Sequence, residues 1–545
     1  MRPRAGLLLL LSGLLAGALA QDHDAPPRAV RFGVFATADL CARCHANAPD
    51  AGAMRDGQGR AIAPYDLWRG TMMANAARDP VFRAAMAAEI ATVPSKRAEI
   101  EAKCLRCHAP MAHEEMRRRD GRLGADVFAI GSVYTALALD GVSCAVCHQI
   151  RPENLGTPES FSGGFVIGDE AEIYGPHDDL FGRPMRTVSG YWPVAGDHVR
   201  DSAMCATCHT LFVDTVDARG EPTGHRLPEQ TPYLEWRNSA FEKTHTCQDC
   251  HVPTTDAGGT PVRTRIAREP EGTDFTEIGE RSPFGRHLFV GGNTLVPALL
   301  RDHGGPAPKE AYDAVIAAAR EQLSERTARL SITDVVKGAE FTVRVENLAG
   351  HKFPTAHPSR RAWLRVRVRT PGGKLLFAAG EHDDRGRILG ADGTPLASEA
   401  AGGPILPHRG AVGGPGEVQV WEAVLSGPDG APEFRALRAA GFLKDNRILP
   451  RGWRADHADA TKPVGTGDDE DFEEGTDAVI VSYAVPDEVP VYVIEADLLY
   501  QPLSPRWTAE LFTVDAPEVA ALRAMLEKAD TRPELVATAR LTVLR

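Results

Sequence analysis

The chain has 545 residues, 43% of them hydrophobic and 6% aromatic, with 10 Cys, 18 His, 52 Gly and 40 Pro. This excludes a disordered tail, a collagen and a membrane bundle, and the length implies two or more domains, because single cores rarely exceed roughly 250 to 300 residues. The formal charge of −13 excludes a nucleic-acid partner, which needs clustered Lys and Arg, and favours basic protein partners.

Residues 1–20 begin with Arg2 and Arg4, continue through Leu7 to Leu11, Leu14, Leu15 and Ala16, and end in Ala18-Leu19-Ala20 before Gln21. A basic start, an apolar stretch and a small-x-small site form a secretory signal peptide, so cleavage near Ala20 and a periplasmic or otherwise exported location are expected. Removing the two arginines takes the charge from −13 to −15. No later stretch approaches the ~20 apolar residues of a membrane crossing, so the mature chain is expected to have no span.

All ten cysteines fall into five copies of one pattern: Cys41-Ala-Arg-Cys44-His45, Cys104-Leu-Arg-Cys107-His108, Cys144-Ala-Val-Cys147-His148, Cys205-Ala-Thr-Cys208-His209 and Cys247-Gln-Asp-Cys250-His251. With His at 18 of 545 positions, chance places it after all five pairs with a probability of about (18/545) to the fifth power, about 4 in a hundred million. Cys-x-x-Cys-His is the attachment signature of c-type haem: the thiols form thioethers with the vinyl groups and the adjacent imidazole reaches the iron as proximal ligand. Disulfides, zinc sites and thiol redox pairs also use such cysteines, but none requires His after every pair. Five covalent haem c groups are expected, with His45, His108, His148, His209 and His251 proximal. From Cys41 to His251 there are 211 residues, too few to wrap an ordinary core around each cofactor, so the porphyrins themselves must supply the core and lie close together.

These motifs resemble the multihaem c-type cytochromes, the broad superfamily that includes the pentahaem nitrite reductases and the multihaem hydroxylamine-oxidising enzymes. Tyr174-Gly175-Pro176, Tyr233-Leu234-Glu235-Trp236, Gly350-His351-Lys352-Phe353-Pro354-Thr355 and Lys444-Asp445-Asn446-Arg447 further resemble exported multihaem cytochromes with a β-rich C-terminal domain. The nitrite reductases carry Lys in place of one motif His, and the hydroxylamine-oxidising enzymes have more haems and a crosslinked Tyr. Every motif here ends in His, and there are only five.

The sixth iron ligand decides what each haem does: a second His closes a low-potential relay, Met raises the potential, and an open position binds substrate. The distal candidates are His198, seven residues before Cys205; His287, beyond the last motif; and His177, His245 and His113. His23, His225, His303, His382, His408 and His457 are read as surface or propionate-bonded imidazoles. Tyr65 to Val93 reads as two helices, with Asp79 as N-cap and Pro80 first in the second. Related multihaem sequences place a distal His in a Trp-x-x-Ser-x-His helix; Trp68-Arg-Gly-Thr71-Met72-Met73 puts Met73 there, so Met73 joins the candidates.

Residues 21–305 are assigned to the pentahaem domain, mainly α and irregular, with a loop from His251 to about Gly305. A connecting helix is expected over 306–330. Residues 331–545 alternate apolar and polar positions at Phe341 to Val345, Trp363 to Val368, Val418 to Val424, Val479 to Tyr483, Val491 to Leu499 and Val536 to Val543, which predicts an antiparallel β-sandwich with one helix over Pro517 to Ala529. His351 and His357 sit in a Gly- and Pro-bounded turn, one reading of which aims an imidazole at a haem. The acidic run from Asp468 to Glu474 reads as a solvated loop, with Ca²⁺ binding as the alternative.

Two functions fit. The first is electron transfer along five haems between other redox proteins, such as donor and acceptor cytochromes or quinol-linked enzymes. The second is a haem enzyme acting on a small nitrogen or sulfur species at one haem with an open distal position.

Overall fold

The computed structural model describes residues 29–128, 131–256, 258–457, 461–467, 469–473 and 475–544. The expected signal peptide, residues 1–20, and Asp468 and Glu474 of the acidic run lie outside the described residues. Up to residue 305 the chain is mostly short helices joined by turns. The motifs lie on or at the ends of Ala38–His45, Arg97–His108, Cys144–Cys147, Ser202–Ala206 and Cys247–His251. Positions i, i+3 and i+4 of a helix share a face. One helical turn through Cys-x-x-Cys-His therefore turns both sulfurs and the imidazole the same way.

Local chemistry fixes where these turns begin. The Asp79 carboxylate accepts from the backbone N–H groups of Val81 at 2.8 Å and Phe82 at 3.3 Å, and Pro80 opens the helix Pro80–Thr92 as the sequence indicates. Thr246 and Asp249 form a capping box immediately ahead of the last motif: the Asp249 side chain accepts from Thr246 N at 2.7 Å, and Thr246 Oγ1 accepts from Asp249 N at 3.3 Å. A β-hairpin, Leu211–Val216 with Pro222–Gln230, and a parallel strand pair, Glu172–Gly175 with Trp192–Ala195, add to the helical reading of this half.

Beyond the last motif two boundaries differ from expectation. The supposed loop to Gly305 contains the helix Leu295–Asp302, whose Pro297 lies in the first turn, where its missing N–H costs nothing. The connecting helix runs Lys309–Arg326, and the strand Ala328–Val336 follows at once. Ala328 and Leu330 are buried there while Arg329 and Ser331 are exposed, so the helix ends four residues earlier than the sequence suggested and a period of two begins at Ala328.

All six expected strands form, as Glu340–Asn347, Arg361–Arg369, Val420–Ser426, Thr476–Ser482, Val491–Gln501 and Glu534–Leu544. They belong to two sheets. The smaller runs in the order 411–412, 476–482, 340–347, 328–336; the larger runs 432–433, 420–426, 361–369, 491–501, 534–544, with 375–379 paired to 361–369 and 441–445 paired to 420–426. Pairing is antiparallel except where Ala411–Val412 joins Thr476–Ser482 in parallel, a departure from the all-antiparallel expectation. Phe341, Val343 and Val345 of one sheet share a single core with Val366, Val368, Ile494 and Leu498 of the other.

The two halves are fused by apolar packing. Helices Pro505–Leu511 and Pro517–Leu526 bury Leu511 and Leu522 against Ala84 and Ala88 of Pro80–Thr92 and Leu299 of Leu295–Asp302. Among the described residues no helix is long and apolar enough to cross a membrane.

Candidate haem sites

All fifteen Cys and His residues of the five motifs line one continuous cavity of about 1620 Å³. Protein interiors are packed with few voids larger than a water molecule, so a space of this size, walled by five identical constellations, is built around something large. None of the ten cysteines is paired in a disulfide. Cysteines of different motifs lie near enough for one to push the other's thiol up: Cys41 acts on Cys144, Cys208 on Cys107, and Cys247 on Cys205. The first motif thus abuts the third, the second abuts the fourth, and the fourth abuts the fifth.

The imidazoles are oriented for metal binding. Nδ1 of His45, His108, His148 and His251 donates to the carbonyl oxygens of Ile266 (3.0 Å), Ala76 (3.0 Å), Tyr174 (2.7 Å) and Val290 (2.6 Å). Such a bond fixes the tautomer and leaves the Nε2 lone pair for a metal. Burial pushes His108 and His209 down to about 4, so both rings are neutral, the form that ligates. Phe82 stacks on the face of His108, 3.6 Å between ring centres and 4° from parallel, leaving the ring edge with Nε2 free.

Two further imidazoles face motif histidines. His287 lies 6.3 Å from His148 between ring centres, at 25°, and His351 lies 6.5 Å from His251, at 14°. Two imidazoles bonded on opposite sides of one metal ion, with bonds of about 2 Å each, bring their ring centres to about 6 Å. Nδ1 of His287 donates to Gly285 O at 3.0 Å and that of His351 to Lys352 O at 2.9 Å, repeating the tautomer of the motif histidines. Cysteine pairs on one helix face, neutral imidazoles with free Nε2 and a shared cavity together fit covalent haem.

The remaining sequence candidates divide. Met73, His177 and His245 line the cavity; His245 Nδ1 lies 2.9 Å from Thr244 Oγ1. His198 lies elsewhere. It lines a separate small pocket with Arg151, Glu153 and Tyr174, and its Nε2 lies 2.9 Å from Ile150 O. His113 is buried in Pro110–Arg117, away from the cavity wall. His351 was legible only as one reading of a turn. His357 also lines the cavity, with Nδ1 accepting from Ser359 N at 3.2 Å and its edge against Trp507.

Residues 40–149 match the family model for cytochrome c554 and c-prime, a span that holds the first three motifs. That part of the chain is similar to a c-type cytochrome domain. Among solved structures the chain is similar to a penta-heme cytochrome c552 from Thermochromatium tepidum, at 18% identity over 93% of this chain and 98% of that one, with a TM-score of 0.49. No curated protein matches the chain.

Proposed function

We propose that this multihaem cytochrome is an exported pentahaem protein that conducts electrons along five covalently attached haems between other redox proteins. The observation that carries the reading is the single cavity lined by all five motifs, with cysteines of the first and third, second and fourth, and fourth and fifth motifs as neighbours. Haem c supplies the one-electron chemistry. The polypeptide's part would be to hold each haem through its two cysteines and a fixed motif imidazole, keep water away and bring porphyrin edges together. In this reading His287 is the distal ligand at the haem of Cys144 and Cys147, and His351 that at the haem of Cys247 and Cys250. Met73, His177 and His245 are candidates for the others. The negative net charge suits basic donor or acceptor cytochromes, or quinol-linked enzymes. Residues 1–20 act as the signal peptide, 21–305 as the haem domain and 331–545 as a β-sandwich-like domain.

One observation favours the enzymatic reading. Glu89 and Glu229 line the cavity beside Cys104, where withdrawal from solvent pushes their carboxyls up to about 8 and about 7. Acids held protonated near neutral pH can donate protons to a substrate at the second haem.

Electron paramagnetic resonance with and without nitrite, hydroxylamine, cyanide and carbon monoxide separates the two. Five low-spin irons indifferent to those ligands support the relay; a high-spin signal that responds to them supports the enzyme. Intact mass showing fewer than five attached groups would defeat both.

A further inference from the structure

The loop that carries His351 is tied to the haem half by four buried charges that neither electron conduction nor haem attachment requires. Lys352 Nζ lies 2.7 Å from Asp445 Oδ2. Arg447 donates to the same carboxylate twice, Nε to Oδ1 at 2.7 Å and Nη2 to Oδ2 at 2.8 Å. Its Nη1 also forms an ion pair with Glu235 Oε1 at 3.1 Å. Glu235 comes from Pro232–Arg237 in the haem half, whose neighbouring Tyr233 and Trp236 line the cavity. Glu235 Oε2 accepts from the backbone N–H of Lys352 at 3.2 Å and from the Thr355 hydroxyl. Side-chain exposure is 0% for Lys352 and Glu235, 1% for Asp445 and 6% for Arg447. Two positive and two negative groups leave the cluster neutral.

The same loop is pinned through its backbone. Phe353 and Ile448 exchange N–H···O bonds of 2.9 and 2.8 Å, and Asn347 Nδ2 donates to His351 O at 2.9 Å. His351 is thus held on both sides, with Lys352 bonded to both halves of the molecule. Buried ion networks are poor sources of stability, since an apolar cluster of similar volume often serves as well or better. What they provide is direction, because each bond demands one geometry.

We propose that Glu235, Lys352, Asp445 and Arg447 form a positioning device that keeps the His351 imidazole opposite His251, so that docking of the β-rich half sets the sixth ligand of the fifth haem. This rests on the reading of His351 as a distal ligand. The test uses the full-length holoprotein with three substitutions, His351→Ala, Glu235→Gln and Arg447→Lys, followed by low-temperature paramagnetic resonance and carbon monoxide binding after reduction, with haem stoichiometry and circular dichroism as checks on folding. His351→Ala is expected to convert one haem per chain to a high-spin, carbon monoxide-binding state. Glu235→Gln, which keeps shape and removes charge, and Arg447→Lys, which keeps charge and removes the fork, are expected to give part of that same signal, with the other four haems unchanged. If His351→Ala changes no spectrum, the ligand reading fails and the proposal with it. If His351→Ala converts its haem but both other variants load five haems and stay fully low-spin, the ligand stands and the positioning role is overturned. Failure of both variants to fold or load haem assigns the cluster to folding and equally overturns the proposal.

Discussion

His287 and His148 face each other across 6.3 Å, with ring planes 25° apart and each Nδ1 bonded to a backbone carbonyl. Neither ring can rotate without losing that bond, which fixes the tautomer and leaves each Nε2 lone pair free for a metal. Replacing His287 with Ala is expected to leave the haem of Cys144 and Cys147 attached but open on one side. In the reduced protein that haem gains carbon monoxide binding, and in the oxidised protein one low-spin resonance signal disappears. Spectra identical to those of the unsubstituted chain would remove His287 from the ligand set.

Attachment itself is testable at the second motif. Cys104 and Cys107 sit on the last turn of Arg97–His108, while Phe82 stacks on His108 from a separate helix. Replacing both cysteines with Ser is expected to lower the intact mass by one haem and leave four groups covalently bound. A mass unchanged after correction for the two substitutions would mean that this motif carries no thioethers.

The haem motifs were readable from sequence because their geometry is local: a helical turn alone aligns Cys, Cys and His. Distal ligands are not local. His198 stands seven residues before Cys205, but chain proximity does not set ring direction, and its Nε2 lies 2.9 Å from the Ile150 carbonyl oxygen. His351 approaches His251 from the other half of the molecule, across a contact set by Glu235 and Asp445 that no periodicity reveals. The strands of the second half were legible from alternation, down to Phe341, Val343 and Val345, all fully buried. Helix Leu295–Asp302 was hidden by Pro297, and the end of Lys309–Arg326 by the overlap of two periods in residues 327–330.

Asp477 predicts a pH dependence within the β-rich half. Its Oδ2 accepts from Trp421 Nε1, but Oδ1 has no hydrogen-bond partner among the described residues. Burial pushes its carboxyl up to about 8. A folded-state value above the unfolded one means that folding favours the protonated acid. The associated stability is fully present below about pH 4, near the unfolded value, and is lost as pH rises toward 8. Denaturant midpoints of the unsubstituted chain should therefore fall over that window. Asp477→Asn, which keeps the acceptor for Trp421 and cannot ionise, should flatten the fall and be the more stable form at pH 8 by a few kcal/mol. Parallel pH profiles for the two proteins would refute this assignment.

Phe341 links the core of the β-rich half to the loop that carries His351. Its ring is fully buried, edge-on to Tyr483 at 5.2 Å, in the core shared by both sheets. Phe341→Ala removes a large buried side chain and is expected to cost about 3 to 5 kcal/mol. The loop bearing His351 leaves the end of the same strand, Glu340–Asn347, and Asn347 Nδ2 holds the His351 carbonyl. Loosening the sheets should therefore release His351 before it disturbs His148 and His287, which both lie in the haem half. In a denaturant titration of the variant, tryptophan fluorescence and the loss of one low-spin haem signal should shift together to lower concentration, with the remaining haems reporting a later transition. Retention of every low-spin signal after the sheets have unfolded would show that no residue of the β-rich half holds an iron.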